Sequence, residues 1–573
     1  MGMHDSSICL LDEDGIEIIL SERHSRIKKQ GGFPLQVLKK YHEKLVRLAP
    51  MISFNALGRP IEHQINYWNT LYPFSKKCEP LGLSQYVPYP ENKLENLKHH
   101  DCHAYSALYF SPFEKSIILV IDGFGTSLDQ FSQEELSLFK DYIPKNIDGV
   151  EHVLSGEFLS VYTQEQGEIE CVEKQWSGLY YKNSNLNEEK KFRRKEVAES
   201  IGIFYENMAT YVFGSKYHTG KLMGLASYAQ NEQFQELDYF QKQLDLDWNS
   251  AANGIAWEDL SSEVQSRMIS LAGETQVAYE KFLLEKIEQL KKTYPDHDNL
   301  IITGGCALNC VGNTKALQAK LFNNIYVPPN PGDEGISLGA AYGQYLKQNG
   351  VDSWRNSKVR VQSSSYGARE NIASQTNIEE IFSSKFEVQR HENIEQIAAK
   401  ILSEGNIIGW FQGRSEIGPR SLGNRSILAP LNFPGLKDYL NKKIKFRESF
   451  RPYGGSCLLE KAHEYFEWEK GRENPFMSFT PVVKEEYRKT LQPICHVDYT
   501  SRMQTISKAA NPRFYELVKE YGELSGVYCL LNTSLNIMGE PIVESIEDAY
   551  NFFCHSEVKY FVIEDYLIQK RDI

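Results

Sequence analysis

The chain is 573 residues long and sets 63 Lys and Arg against 76 Asp and Glu, a formal charge of −13 with neutral histidines. That acidity argues against a general nucleic-acid binder, whose footprint is basic. At 41% apolar and 24% charged residues, the composition is that of a folded protein with material for two large domains or three ordinary ones.

The opening segment MGMHDSSICLLDED carries acids where a signal peptide carries bases and then an apolar run. The apolar stretch Ile117–Ile121 falls far short of the roughly 20 residues needed to cross a bilayer. A cytoplasmic protein with no membrane partner is expected. Ten cysteines are dispersed without CxxC pairs, mostly inside apolar runs, and are read as reduced core residues.

From Met1 to about residue 350, strand-like runs alternate with polar or glycine loops and helical periodicity, as in SIILVIDGFGTS and NLIITGGCALNCVGNTKALQAK. This is the α/β pattern. Residues 130–180, rich in Tyr, Glu and Gly, are read as a β insertion. Residues 351–372 lose apolar period and gain Ser, Asn and Gly, so a linker is placed there. A second α/β pattern begins near 373 with FEVQRHENIEQIAAKILSEGNIIGWFQGR, helix then strand then a Gly-Arg loop, and runs through 573.

In NLKHHDCHAYSALYF the apolar spacing predicts a helix that places His99 and His103 about one turn apart on one face, a geometry suited to two imidazoles on one metal. Such a site needs carboxylates from elsewhere, and Asp122 and Asp333, where strand-like runs hand over to loops, are the candidates. Ligands of α/β sheets gather at those carboxyl ends. Taken alone, an HxxxH pair is more often a helix cap or a solvated face. Gly123 and Gly125 in DGFG, and Gly304, Gly305 and Asn309 in GGCALN, form turns at which backbone amides can approach phosphate or a nucleoside. The segment from Gly220 and Lys221 to Tyr228 lacks Walker A spacing, which excludes a P-loop as the best reading. His4 offers a general base near neutral pH, although a surface histidine is the plainer reading of its position.

Between Arg414 and Arg451 stand nine basic residues against Glu416, Asp438 and Glu448, a local charge of 9 − 3 = +6 inside an acidic chain. This predicts a focused anion site for small phosphorylated substrates. Lys442 and Lys443 fit a helix surface equally well. Arg420, Arg425, Arg447 and Arg451 fit it less well, because guanidinium forks clamp phosphate and carboxylate. Ser534 and Asn536, two apart after an apolar strand, are expected on one side of an extended backbone. No GxSxG elbow accompanies the Ser, His and Asp residues, so a serine hydrolase is discounted.

These residues fall into ordered motifs: HDSS, SERHSRIKKQGGFP, HHDCHA, VIDGFG, GKLMGLASY, GGCALNCVGN, NPGDEGISLGAA, GPRSLGNRSILA, KFRESFRPY, HVDYTSRMQT and LNTSLNIMGEPIV. Over nearly its whole length the chain resembles the NodU/CmcH-type O-carbamoyltransferases. The resemblance implies an ASKHA (actin-like and sugar-kinase-like) domain over 1–350 and a YrdC-like α/β domain over 373–573. It implies that the YrdC-like site makes carbamoyl adenylate from carbamoyl phosphate and ATP with Mg2+. The carbamoyl group then passes to a hydroxyl of a small-molecule or glycan acceptor in the first domain. By motif, iron or another divalent metal falls on His99, His103, Asp122 and Asp333, and the catalytic histidine on His4. The nucleotide of the first domain is expected at Gly123, Gly125, Lys221, Gly304, Gly305 and Asn309. Carbamoyl phosphate and ATP are expected at Arg420, Arg425, Lys445, Arg447, Arg451, Arg502, Ser534 and Asn536. In the family a strand precedes the His-Asp pair, and here only Met1–Met3 precede His4, so that strand is expected to be shortened or lost.

The nearest rival is an enzyme forming threonylcarbamoyladenosine on tRNA, disfavoured by the acidic charge. A sugar-kinase-like phosphotransferase with Asp122 as base leaves the paired histidines unexplained. A non-enzymatic scaffold predicts loss of the HxxxH and arginine positions, which are present. No nucleic-acid partner is expected, and homodimerisation is the working assumption.

Overall fold

The computed structural model describes residues 7–12, 15–29, 52–54, 94–139, 144, 150–182, 196–229, 232–234, 236–252, 254–351, 363–369, 375–537 and 539–571. The chain divides into two compact α/β units, one of residues 1–15 and 32–358, the other of 16–31 and 359–573. Strands β1 (Ser7–Asp12), β2 (Gly15–Leu20), β3 (Ile52–Phe54) and β4 (Leu94–Asn96) precede the main sheet of the first unit.

That sheet has six strands: β5 (Lys115–Ile121), β6 (Val150–Glu165), β7 (Glu168–Lys182), β8 (Glu196–Ala198), β9 (Asn299–Thr303) and β10 (Asn324–Tyr326), in the order β10-β9-β5-β6-β7-β8. The pairs β10/β9 and β9/β5 are parallel, and the rest antiparallel. Residues 150–182 are therefore no insertion. The hairpin β6/β7 continues the central sheet, with Ile117 facing Thr163 and Ile121 facing Leu159. It closes through Gln166 and Gly167 at φ 55° and 93°, the left-handed pair that a two-residue turn between twisted strands requires.

Strand β5 is apolar from Ile117 to Ile121, and every one of those side chains is fully buried, as expected of a strand covered on both faces. Against it lies the helix His99–Phe110, whose Ala104 and Ala107 pack on Ile118, Val120 and Ile301. The helix Ile336–Asn349 approaches the same helix so closely that a Cβ on Gly339 would stand 1.7 Å from the Cys102 carbonyl oxygen. Glycine at 339 is thus what allows the turn Asp333–Gly335, which opens that helix, to reach the first turn of His99–Phe110.

In the second unit β11 (Glu387–Arg390), β12 (Ile408–Phe411), β13 (Arg425–Ala429), β14 (Gly454–Leu458), β15 (Arg502–Ile506), β16 (Cys529–Ser534), β17 (Tyr560–Ile563) and β18 (Tyr566–Gln569) form one sheet, ordered β11-β18-β17-β12-β13-β16-β14-β15. Residues 387–390, read from the sequence as the start of a helix, are its edge strand; the helix begins at Ile394. Alternating side chains serve two apolar layers. Ile408 and Trp410 pack with the helices Ile394–Ser403 and Pro512–Ser525, while Phe411 packs with Phe382, Phe553 and Phe561 on the other face.

Residues 16–31 depart from the division drawn from the sequence, which assigns them to the first domain. Their hydrogen bonds explain the difference. Ile18 N–H donates to Tyr366 O at 2.8 Å, Arg369 N–H to Glu17 at 3.0 Å, and Arg414 to Ile16 O at 2.7 Å. Arg23 donates to Glu544 at 3.1 Å, and Arg26 to the carbonyls of Ile542 and Pro541 at 2.8 and 3.0 Å. Of the expected linker, residues 352–362 and 370–372 lie outside the described residues.

Candidate functional site

In the first unit, four side chains from three places in the chain meet at the carboxyl end of β5. His99 and His103 come from one helix, Asp122 follows the strand, and Asp333 opens a turn; their candidate ligand atoms all lie within 4.8 Å of one another. His99 Nε2 is 2.8 Å from Asp122 Oδ2 and 3.5 Å from Asp333 Oδ1, and His103 Nε2 is 3.4 and 3.7 Å from the same oxygens. The two Nε2 atoms are 3.2 Å apart. Both imidazoles are fully buried, with rings at 81° to each other.

Two ring nitrogens held this close, facing two carboxylates, need positive charge between them. Electrostatics point the same way. Burial would lower the pKa of His99, but its hydrogen bond to Asp122 and the charge of Asp333 raise it. Burial would raise Asp122, but His103 and His99 hold its carboxyl well below the usual carboxylate range. An N2O2 set of this kind fits a divalent transition metal with room for substrate oxygens. The neighbouring His100 behaves oppositely: burial pushes its pKa down to about 3, against the pull of Glu157, so it stays neutral.

The glycine loops serve this cluster directly. Asp122 Oδ1 accepts N–H bonds from Gly123 at 2.8 Å and Gly305 at 3.3 Å, which leaves Oδ2 for the histidines. Gly304 has φ 89°, and a Cβ there would meet Ile121 O at 2.3 Å; a Cβ on Gly305 would meet Asp122 Oδ1 at 2.8 Å. A Cβ on Gly125 would strike Glu157 at 2.7 Å. Asn309, expected at a nucleotide, instead spends its amide inside the protein: Oδ1 caps the helix Cys310–Gln318 at Gly312 N–H (2.9 Å), and the side chain pairs with Gln276. Lys221 lies on the helix Thr219–Ala226, its ammonium 5.7 Å from the centre of the Phe213 ring. His4 lies outside the described residues.

In the second unit, Lys445 ends a turn of wide helix and buries its ammonium between Ser534 and Asn536. It donates to Ser534 O and Oγ at 2.8 and 3.1 Å, to Asn536 O at 3.0 Å, and to Asn536 Oδ1. Ser534 and Asn536 are themselves joined, Oγ to Oδ1, at 2.7 Å, both on one side of the chain. Every one of these acceptors is neutral. Burial lowers the Lys445 pKa well below that of an ordinary lysine, and Arg447, Lys28 and Arg451 lower it further.

Arg447 stacks on Tyr453, 4.2 Å from the ring centre, and donates to Asn441 Oδ1 at 2.9 Å and Pro452 O at 3.2 Å. Burial brings its pKa down to about 10, Tyr453 opposing and Arg451 and Arg502 adding to the fall. Arg451 reaches Glu448 at 3.7 Å, and Arg502 Nε is buried with no hydrogen-bond partner among the described residues. Arg420 is half-buried on its loop, while Lys442 and Lys443 are exposed. Cations crowded this way would attract an anion.

Arg425 does not join them. Its guanidinium is fully buried 3.4 Å over the Phe411 ring and donates to the carbonyls of Gln412, Asn424, Gly413 and Glu544 at 2.9, 3.1, 2.9 and 3.5 Å. It is a structural pin, because a charge so enclosed by carbonyls has no face left for phosphate. Arg425→Met should lower stability by about 2–4 kcal/mol in urea unfolding, since each carbonyl loses a charged donor in a dry interior.

Lys28 is the residue that sequence reasoning missed. It is exposed, yet burial of its surroundings lowers its pKa, Glu22 opposing and Arg451, Lys29 and Arg447 contributing. Two residues before it, Arg26 ties this segment to the carbonyls of Ile542 and Pro541. The signal was the basic run in SERHSRIKK, but nothing local says that it folds with residues some 400 positions away.

Residues 89–342 match the family model described as Carbamoyltransferase N-terminus, and residues 399–570 that of Carbamoyltransferase C-terminus. Nodulation protein NolO of Bradyrhizobium diazoefficiens is 31% identical over 83% of this chain and 79% of its own. The uncharacterized protein sll1178 of Synechocystis is 31% identical over 99% and 95%, and nodulation protein U of Sinorhizobium fredii 33% over 52% and 51%. The phosphate- and nucleotide-bound full-length HypF aligns at TM-score 0.35 and 14% identity over 61% of this chain and 46% of its own, too loosely to carry an argument. With both models and these relatives aligned, the chain belongs to the carbamoyltransferase family. It is an enzyme of carbamoyl transfer. Among the described residues no helix is long and apolar enough to cross a membrane.

Proposed function

We propose that this carbamoyltransferase works in two half-reactions: the second unit, read as YrdC-like, forms carbamoyl adenylate from carbamoyl phosphate and ATP, and the first, read as ASKHA-type, transfers the carbamoyl group to a hydroxyl. In the first half-reaction, water cleaves carbamoyl phosphate to carbamate and phosphate, and a carbamate oxygen then attacks the ATP α-phosphorus as its bond to pyrophosphate breaks. In the second, an alcohol oxygen attacks the carbamoyl carbon, its proton passes to a base, and AMP leaves. The acceptor is a hydroxyl-bearing small molecule or glycan.

The single observation that carries the reading is Lys445, an ammonium buried among neutral acceptors and surrounded by Arg447, Arg451 and Lys28. Such a group is costly to bury unless an anion completes it. Phosphate and the developing negative charge of carbamate and pyrophosphate supply that anion. Holding the two reactants on one set of cations also replaces a rare encounter in water.

In the first unit His99, His103, Asp122 and Asp333 would hold a divalent cation, iron by family resemblance, which would act when bound as a Lewis acid toward the carbamoyl group. Gly123 and Gly305 orient Asp122 for this through its other oxygen. His4, by resemblance, takes the alcohol proton.

The test is pyrophosphate release by purified protein given ATP, Mg2+ and carbamoyl phosphate. Release that requires carbamoyl phosphate supports the adenylation half. Its absence from folded protein, with Fe2+ and candidate alcohols present, sinks the mechanism. The pH dependence has a definite sign. Anion binding needs the Lys445 ammonium, whose pKa is lowered, so kcat/KM for carbamoyl phosphate should fall as pH rises, at a pH below the ordinary lysine value of about 10.4. Lys445→Arg should move that alkaline limb upward in a pH–rate profile.

A further inference from the structure

Behind the histidine cluster lies a second, separate set of buried charges. The helix His99–Phe110 has no side-chain cap on Lys98, so the amides of its first turn need acceptors from elsewhere. His99 N–H donates to Thr126 Oγ1 at 2.7 Å, and His100 N–H to Glu157 Oε1 at 3.0 Å. The same Glu157 oxygen accepts from Thr126 N–H at 3.2 Å, which ties both caps together. Glu157 is fully buried, and its other oxygen meets the buried ammonium of Lys174 at 3.0 Å.

Lys174 reaches back to the helix itself. Its ammonium stands 3.4 Å from Asp101 Oδ1 and 3.1 Å from Tyr162 Oη, and Tyr162 donates to the same Asp101 oxygen at 2.5 Å. One cation from β7 therefore holds the first turn twice, once through the capping Glu157 and once through Asp101, midway between His99 and His103. An apolar contact can slide along a helix, whereas two charged hydrogen bonds at different azimuths resist its rotation and translation.

We propose that Glu157, Lys174 and Asp101 are positioning residues of the metal site, setting the helix so that the Nε2 atoms of His99 and His103 converge on Asp122 and Asp333. This rests on the metal reading given above. The network meets the helix at the His100 amide and at Asp101, between the two histidines, and the charge of Glu157 also acts on the His99 ring. Outer groups that orient ligands commonly matter tenfold to a hundredfold in metal affinity.

The test measures Co2+ binding to metal-free full-length protein by the visible absorption of the ion, with folding followed by circular dichroism and thermal melting. Wild type should bind one Co2+, and His103→Ala none. Folded Lys174→Met and Glu157→Gln should bind at least about tenfold more weakly. Lys174→Arg, which keeps the charge, should recover most of the affinity. Folded variants that melt earlier but bind Co2+ within twofold of wild type would overturn the positioning role and leave the metal site standing. Wild type that binds no better than His103→Ala would overturn the metal reading, and this proposal with it. Should Lys174→Met not fold, the near-isosteric Glu157→Gln decides by the same affinity criterion.

Discussion

Pyrophosphate release driven by carbamoyl phosphate should drop by about 10²–10³-fold when Arg447 is replaced by alanine, the size of loss that follows removal of one preorganised donor from a developing anion. Arg447 is held by its stack on Tyr453 and by Asn441 and Pro452, so its guanidinium is preorganised before any anion arrives. Arg447→Lys should recover little, because an ammonium reproduces neither the stack nor the planar fork. The measurement is the initial rate at saturating ATP with varied carbamoyl phosphate. Retention of the wild-type rate within twofold by the alanine variant would remove Arg447 from the mechanism.

Asp122→Asn should strip the divalent metal from the first unit while leaving pyrophosphate release intact. The substitution keeps an oxygen for the Gly123 and Gly305 amides and changes little volume, so the loop should stay in place. What it removes is the negative charge facing His99 and His103. Loss of a direct ligand should exceed the tenfold to hundredfold effect typical of outer groups, so affinity should fall by more than about 100-fold. Metal content after anaerobic loading with Fe2+, read beside the pyrophosphate assay on the same preparation, checks both halves. Full metal content in the variant would refute the ligand assignment.

The two clusters differ in how far they could be read from residues alone. His99 and His103 lie four apart on a helix, so their shared face follows from helical geometry, and Asp122 ends an apolar run that could hardly be anything but a buried strand. The arrival of Asp333 depends on Gly339 letting one helix lie against another, a contact that no local pattern shows. Among the arginines the local pattern does not say which turn inward: Arg425 and Arg447 both stand in the basic stretch 414–451. Arg425 starts β13 and points into the interior over Phe411, whereas Arg447 follows the left-handed Phe446 and stacks beside Lys445. Asn309 likewise looked like a ligand-facing amide and is a helix cap.

By itself the amino-acid order determined the α/β class of both units, the strand that leads into Asp122, the histidine pair and the concentration of cations from Arg414 onward. These are short-range properties, set by periodicity and by chain neighbours. Only the tertiary structure decided that Lys28 joins the cations, that Arg425 leaves them, that the hairpin of residues 150–182 extends the central sheet, and that Glu157 and Lys174 brace the histidine helix. Each of those depends on which distant donor meets which acceptor once water is excluded. That pairing is a property of the packed interior and leaves no periodic trace in the chain.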